Sequence, residues 1–323
     1  MNVKRFSEKS IDPLTKSSYN YKLLEIGTFH GEAESIASAN HIWRLTDVLA
    51  EAAAFLKMRG ISDPRLNAER MLAHVLGLKR IDLYLQFDRP LNRDERNAYK
   101  DLLKRRTARE PLQYILGETE FMSLPFRVGP DVLIPRPETE VLVERVLEDA
   151  KAEPVQTILD IGTGSGCIAV SLAVNLPDVR ITALDVSKEA LETASQNAEL
   201  NGVQERIHFI RGDIRCGIES DSRFDAAVSN PPYISLDEWD GLEPEIREFE
   251  PRSALCDESD GLAFYREIAG KSRSFLQNGG RLYLEVGDGQ SGSVRRLLET
   301  SGFSGVESFL DFNRIERVVK GTL

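Results

Sequence analysis

Apolar positions follow two different rhythms along the chain. Between residues 43 and 109 they recur at helical spacing. Val48, Leu49, Ala52, Phe55 and Leu56 make one stripe, with Thr46 or Asp47 as the expected cap and Gly60 at its end. Asp63-Pro64 predicts a cap followed by a proline at the first helical position. Leu66, Met71, Leu72, Val75 and Leu76 are the expected buried stripe of that second helix, and Gly77 its stop. A short turn at 81–86 and a charged helix at 93–109 complete a small bundle. Its short connections favour antiparallel neighbours.

From residue 157 the rhythm changes to strands alternating with helices. Strands are expected at 157–161, 180–184, 207–211, 224–229, 281–286, 306–310 and 315–319. Crossover-length segments join the first four, which predicts a mostly parallel sheet with helices on both faces. The last two lie close enough to form an antiparallel edge hairpin. A further hairpin at 120–129 links bundle and sheet. The expected domains are therefore a polar extension (1–42), a helical domain (43–110), a hairpin linker (111–140) and a catalytic α/β domain (141–323).

Composition narrows the class. The chain has 323 residues, 41% of them apolar, and 52 acids against 41 bases give a net charge of −11. That balance disfavours a surface built to neutralise phosphates, so no direct nucleic-acid binding is expected. No apolar run approaches the roughly 20 residues that span a bilayer, so no membrane partner is expected either. The first 40 residues lack the apolar core of a secretory signal, and Glu8, Asp12 and Glu25 argue against a transit peptide. Cys167, Cys216 and Cys256 have neither disulfide nor zinc spacing, which suits a reducing cytoplasm. No metal cluster is visible, and His74 and His208 read as structural.

The first strand runs into Asp160-Ile161-Gly162-Thr163-Gly164-Ser165-Gly166 and then an apolar helix at 167–176. Glycines at that turn let a ligand approach the backbone closely. No Lys-Ser/Thr follows them, so this is not a phosphate-cradling P-loop. Asp160 places a carboxylate beside the turn. Asp185 ends the second strand, where an acid can accept from two ribose hydroxyls. Gly212-Asp213 ends the third, where an acid can meet an adenine amine. A cationic, phosphate-free nucleoside suits this acidic rim better than a pyrophosphate does. The set resembles the nucleoside-binding motifs of Rossmann-like S-adenosylmethionine-dependent methyltransferases, which implies that cofactor.

Asn230-Pro231-Pro232-Tyr233 closes the fourth strand, at the carboxyl edge where open α/β sheets bind ligands. The prolines end the ladder and fix the backbone. The Pro231 carbonyl and the Asn230 side-chain oxygen are then two acceptors side by side, and Tyr233 offers a flat face. A planar NH2 nitrogen has a delocalised lone pair and attacks a sulfonium methyl poorly. Two acceptors on its hydrogens direct the lone pair at the methyl, and such positioning contributes up to roughly 7–11 kcal/mol. Fixed dipoles facing the developing positive charge add to it. The proton becomes acidic only after transfer, so no strong base is required. By itself the motif fits exocyclic amines of adenine or cytosine as well as glutamine amides.

The flanks discriminate. They read Pro-Leu-Gln-Tyr-Ile-Leu-Gly at 111–117 and Glu120-Phe121. Leu-Ile-Pro-Arg-Pro-Glu-Thr-Glu follows at 133–140, then Glu243-Pro244-Glu245, Phe249-Glu250-Pro251-Arg252 and Asp260-Gly261-Leu262. Together they resemble the peptide chain release factor glutamine methyltransferases, the PrmC/HemK family, from about Leu45 almost to the C-terminus. The resemblance implies methyl transfer from S-adenosylmethionine to the glutamine of the Gly-Gly-Gln loop of release factors. Asn230 and the Pro231 carbonyl would hold the amide, with Pro232 and Tyr233 lining its pocket. Asp160, Gly162, Thr163, Gly164, Ser165, Gly166, Asp185, Asp213, Ile214 and Asn230 would surround the cofactor. Ile214 stands where many relatives carry an aromatic residue, so an apolar contact would replace stacking on adenine.

Two segments admit two readings each. Arg136 either pairs with a carboxylate such as Glu140 or, with Glu138, belongs to a segment folded over the cofactor. Lys104, Arg105, Arg106 and Arg109 read as a solvated helix face, or else as a dock for the protein substrate. Two rival functions remain: an adenine amine methyltransferase acting on nucleic acid, and a non-catalytic cofactor-binding interaction protein.

Overall fold

The computed structural model describes residues 42–217 and 223–323, so the polar extension at 1–42 lies, but for Ile42, outside the described residues. The chain divides into two compact units between Leu103 and Lys104.

The first unit contains α1 (Leu45–Met58), α2 (Pro64–Leu76), α3 (Arg80–Leu85) and most of α4 (Arg93–Thr107). Helix α1 buries the expected stripe but begins earlier, with Arg44 as its N-cap and no side-chain capping bond. Leu45 is itself core, and the Thr46 hydroxyl donates instead to the Phe87 carbonyl (3.2 Å). Helix α2 starts on Pro64 and stops at left-handed Gly77 as expected, but the Asp63 side chain makes no cap bond. Its buried face is rotated from expectation: Leu66 is 37% exposed while Ala68, Glu69 and Met71 are buried. The rotation is possible because Glu69 keeps polar partners, the Arg65 guanidinium (2.8 Å) and the Tyr84 hydroxyl.

The second unit begins with α5 (Leu112–Leu116) and the hairpin β1 (Glu118–Phe121) and β2 (Leu124–Arg127). Helix α6 (Pro137–Ala152) precedes the sheet proper. There β3 (Thr157–Ile161), α7 (Cys167–Asn175), β4 (Arg180–Asp185), α8 (Lys188–Leu200), β5 (Ile207–Arg211) and β6 (Phe224–Ser229) follow in turn. Two short helices, α9 (Pro244–Phe249) and α10 (Arg252–Leu255), lead to α11 (Ala263–Phe275) and β7 (Leu276–Glu285). The chain continues with α12 (Ser291–Thr300), β8 (Ser304–Leu310) and β9 (Glu316–Thr322).

The seven strands lie in the order β5-β4-β3-β6-β7-β9-β8, parallel except for β9, which is antiparallel to both its neighbours. Neighbouring residues on each strand serve opposite faces. Ile158, Ala226, Val228 and Tyr283 pack with α6 and α7, whereas Leu159, Ala227, Leu282 and Leu284 pack with α11 and α12. Burial on both faces explains why these strands read as nearly continuous apolar runs. Strand β7 starts five residues earlier than expected, because its register with β6 jumps from Phe224↔Leu276 to Ala226↔Arg281. The bulge absorbs Gly279-Gly280, a pair that reads locally as a turn. Strand order reverses between β4-β3 and β6-β7, which puts the crevice of the sheet at the carboxyl ends of β3 and β6.

Candidate active site

The β3–α7 loop is pinned to the sheet through backbone: the Gly162 and Thr163 amides both donate to the Leu184 carbonyl (2.8 and 3.0 Å). Gly166 ends the loop in the left-handed region (φ 79°), and a Cβ there would stand 2.9 Å from the Ala194 Cβ on α8. Only glycine permits both the turn and that approach. Beneath the loop, Asp160 is fully buried and accepts from the Thr163 hydroxyl at 2.6 Å through Oδ2, while its Oδ1 has no partner. Burial above all pushes its pKa up to about 7; the Thr163 bond opposes this and the nearby Asp185 charge adds to it. Asp185, at the end of β4, accepts from the Gly164 amide (2.8 Å) and the Ser187 amide (2.9 Å). Two amides thus aim one carboxylate at the loop.

A cavity of about 660 Å³ opens over these strand ends. Of the residues singled out in the sequence, Gly162, Gly164, Asp185, Asp213, Ile214, Asn230, Pro231 and Pro232 line it. Asp160, Thr163, Ser165, Gly166 and Tyr233 stand behind its wall rather than in it. The volume lies within the range of small-molecule sites. The glycine floor, the Asp185 acceptor and the apolar Leu184, Ile214, Phe264 and Ile268 fit a nucleoside that carries no phosphate. Asp213 differs from expectation in one respect. Both its oxygens are already engaged by the Arg215 guanidinium at 2.8–3.0 Å, which holds its carboxyl below the usual range. Arg215 in turn lies over the Phe264 ring, 5.5 Å from its centre.

At the other end of the cavity, β6 stops at Ser229, whose hydroxyl donates to the Ile161 carbonyl (2.7 Å). The Asn230 Nδ2 donates to the Thr139 hydroxyl at 3.1 Å, which leaves Oδ1 as an acceptor. The Tyr233 carbonyl accepts from Gln290 Nε2 (2.8 Å), and Gln290 Oε1 accepts from the Gly287 amide (3.0 Å), so the Asn-Pro-Pro-Tyr turn is anchored to the segment after β7. Glu285 closes β7 and is 1% exposed. Burial pushes its pKa up to about 7, while the Thr139 and Tyr233 hydroxyls and the Arg317 charge favour its ionised form.

The two open segments resolve differently. Arg136 pairs with Glu250, not with Glu140, and the second Glu250 oxygen accepts from the Ile134 amide (3.1 Å). Glu140 accepts from the Met122 amide (2.6 Å) instead. Glu250 thereby clasps segment 130–136 to the loop at 250–258, and both border the cavity. The charged helix is not a solvated face throughout. The Arg106 side chain is 4% exposed and forks onto Glu245 (2.8 and 3.0 Å), Arg109 reaches Glu245 at 3.6 Å, and Arg105 pairs with Glu110. His74 and His208 are both exposed and neither lines the cavity. Thr139, Arg215, Glu250 and Glu285 were not assigned site roles from the sequence. The signal for Glu285 was an acid closing an otherwise apolar strand at the ligand-binding edge.

Comparison with known proteins agrees with this geometry. Residues 47–117 match the PrmC N-terminal domain and residues 137–240 the methyltransferase small domain. A release factor glutamine methyltransferase of Geobacter sulfurreducens is 44% identical over 87% of this chain and 98% of its own length. Its namesake in Chlorobaculum tepidum is 42% identical over 85% and 96%. Among solved structures, the hMettl16 catalytic domain in complex with a MAT2A 3'UTR hairpin superposes with a TM-score of 0.52. It covers 77% of this chain and 90% of that one at 17% identity, a likeness of fold alone. The sheet is thus that of a Rossmann-like methyltransferase, and the chain belongs to the release factor glutamine methyltransferase family.

Proposed function

We propose that this chain transfers a methyl group from S-adenosylmethionine to the side-chain amide nitrogen of the glutamine in the Gly-Gly-Gln loop of peptide chain release factors. The observation that carries the reading is the Asn230 amide. Its nitrogen is committed to Thr139, which leaves its oxygen as an acceptor, and Asn230 and Pro231 both line the cavity that Gly162, Gly164 and Asp185 also line. The cofactor, when bound, supplies an electrophilic methyl on a sulfonium. Gly162, Gly164 and Asp185 hold its nucleoside, and Leu184, Ile214, Phe264 and Ile268 close over the apolar faces. Asp160, Thr163, Ser165 and Gly166 keep the loop in shape from behind. Asp213 serves more through its fork with Arg215 than as a free acceptor.

Asn230 Oδ1 and the Pro231 carbonyl accept the two hydrogens of the glutamine NH2, which directs the nitrogen lone pair toward the methyl. Both dipoles also stabilise the positive charge that grows on that nitrogen. Pro232 lines the amide pocket, and Tyr233 supports the turn from behind the cavity wall. We assign substrate docking to residues 43–110, linkage to 111–140 and chemistry to 141–323. Among the described residues no helix is long and apolar enough to cross a membrane. We place the reaction in the cytoplasm, where release factors work.

The test is mass spectrometry of a release factor after incubation with the protein and S-adenosylmethionine. A single added methyl on the Gly-Gly-Gln glutamine is expected. Label entering nucleic acid alone, in a parallel reaction, would establish the adenine-amine alternative instead. Cofactor binding with no transfer to either would leave the interaction-protein reading.

A further inference from the structure

We propose that Gln290 is a positioning residue for this transfer: its side-chain amide locks the far end of the Asn-Pro-Pro-Tyr turn and so fixes where the Pro231 carbonyl points. The inference rests on the function proposed above. Strand β6 leaves the sheet at Ser229, in register with Leu284 on β7. Pro231 and Pro232 have no amide hydrogen with which to fasten the turn that follows. Gln290, the N-cap residue of α12, supplies a fastening from its side chain. Its Nε2 donates to the Tyr233 carbonyl (2.8 Å) and to the Gly261 carbonyl (3.3 Å). Those carbonyls flank the 234–260 excursion, which carries Pro251, Ala254 and Asp257 of the cavity lining. One amide thus ties the acceptor turn to the neck of that excursion.

The amide has one workable orientation. Its Oε1 accepts from the Gly287 amide (3.0 Å), while the Gln290 backbone amide donates to the Gly287 carbonyl (3.1 Å). Turned over, the side chain would set its NH2 against an N–H and its oxygen against two carbonyls. The base beneath this pairing is fixed. The buried Tyr265 hydroxyl donates to the Glu285 carbonyl (2.9 Å), and the Val286 amide donates to the Arg317 carbonyl (2.9 Å). Two glycines make room for the amide. A Cβ on Gly261 (φ 81°) would stand 2.7 Å from both Gln290 Nε2 and the Tyr233 oxygen. One on Gly287 would stand 2.9 Å from Gln290 Oε1 and 3.1 Å from the Tyr233 ring.

The Tyr233 carbonyl lies two residues beyond that of Pro231, and the proline rings hold φ at both intervening positions. With Ser229 held by the sheet and Tyr233 by Gln290, few torsions between them stay free. Released at Tyr233, the turn can swing the Pro231 carbonyl away from the acceptor NH2. The glycine loop and Asp185 keep their own bonds on β3 and β4. The excursion also keeps other ties, from the Ile234 amide to the Leu255 carbonyl (2.9 Å) and from the Leu236 amide to the Ser259 carbonyl (3.0 Å). Loss of the Gln290 amide therefore falls on methyl transfer and spares cofactor binding.

The test compares the wild type with two variants, using full-length protein and a release factor as acceptor. Gln290→Met fills similar space without an amide, and Gln290→Glu keeps an acceptor for Gly287 but brings no NH2. Single-turnover rate at saturating release factor, cofactor Kd and thermal melting are measured. Both substitutions are expected to lower the rate roughly 10- to 100-fold, as a small misplacement of a reacting group does, with cofactor Kd within about twofold. Combined with Asn230→Ala, Gln290→Met should cost less than the product of the two single losses, because the Asn230 oxygen and the Pro231 carbonyl hold one NH2 as a unit. An amide that served the fold alone would give the full product. That full product overturns the inference, and so does a wild-type rate in either variant. Equal losses of rate and cofactor affinity overturn it as well. Absence of a melting transition in both variants does the same, since it makes the amide a determinant of the fold and not of the site. A wild type that methylates no release factor would instead overturn the proposed function, and the same assay reads this first.

Discussion

Asp160 and Glu285 each bury a carboxylate with one oxygen unpartnered, an arrangement that stability alone does not favour. Both pKa values rise to about 7, so the folded protein holds these protons more tightly than the unfolded chain does. Their stabilisation is complete below the unfolded values near 4 and is lost as the pH climbs through 7. Glu285→Gln should therefore raise the unfolding temperature at pH 8, by a gain on the order of a few kcal/mol. The gap should narrow toward pH 5, and equal melting curves at both values would contradict the burial argument. Asn230→Ala separates chemistry from binding differently: transfer is expected to drop roughly 100- to 1,000-fold while calorimetric cofactor affinity holds. Asn230 and Asp185 were legible in the sequence because each closes a strand with a recognisable motif. Thr139 was not, because it meets Asn230 from 91 positions away in the chain, a contact set by the placement of α6.

Elements were legible where burial dictates the pattern. Strands β3, β5 and β6 fall on the expected residues because their apolar runs are bounded by polar turns. Starts and registers set by distant partners were not legible. Helix α1 begins at Leu45 because that residue is core, and β7 carries a bulge that local reading takes for a turn. The Glu250 clasp is likewise tertiary, spanning 114 positions to Arg136. Glu250→Ala would leave the Arg136 guanidinium and the Ile134 amide without that partner. Arg136 is 30% exposed, which moderates the cost to about 1–3 kcal/mol. Thermal unfolding should show that loss, and equilibrium dialysis should show weaker cofactor binding, since both clasped segments border the cavity. Unaltered cofactor affinity would mean that the clasp supports the fold without shaping the site.

On the scale of the whole molecule, a net charge of −11 and a large protein substrate place recognition away from phosphate-like binding. Removing residues 43–103 is expected to raise KM for the release factor more than Kd for the cofactor. The cut belongs before Lys104, because Arg106 and Arg109 hold Glu245 in the catalytic unit. Equal changes in the two constants would show that the helices support folding and not docking. The placement of β9 carries a genetic consequence. It lies between β7 and β8, yet no residue beyond Ile268 lines the cavity. A stop codon just after Leu310 would spare every cavity residue and still expose the β7 edge, with Leu282, Tyr283 and Leu284 bared for self-association. Such late nonsense alleles should behave as full nulls with insoluble product, although everything they delete lies outside the cavity.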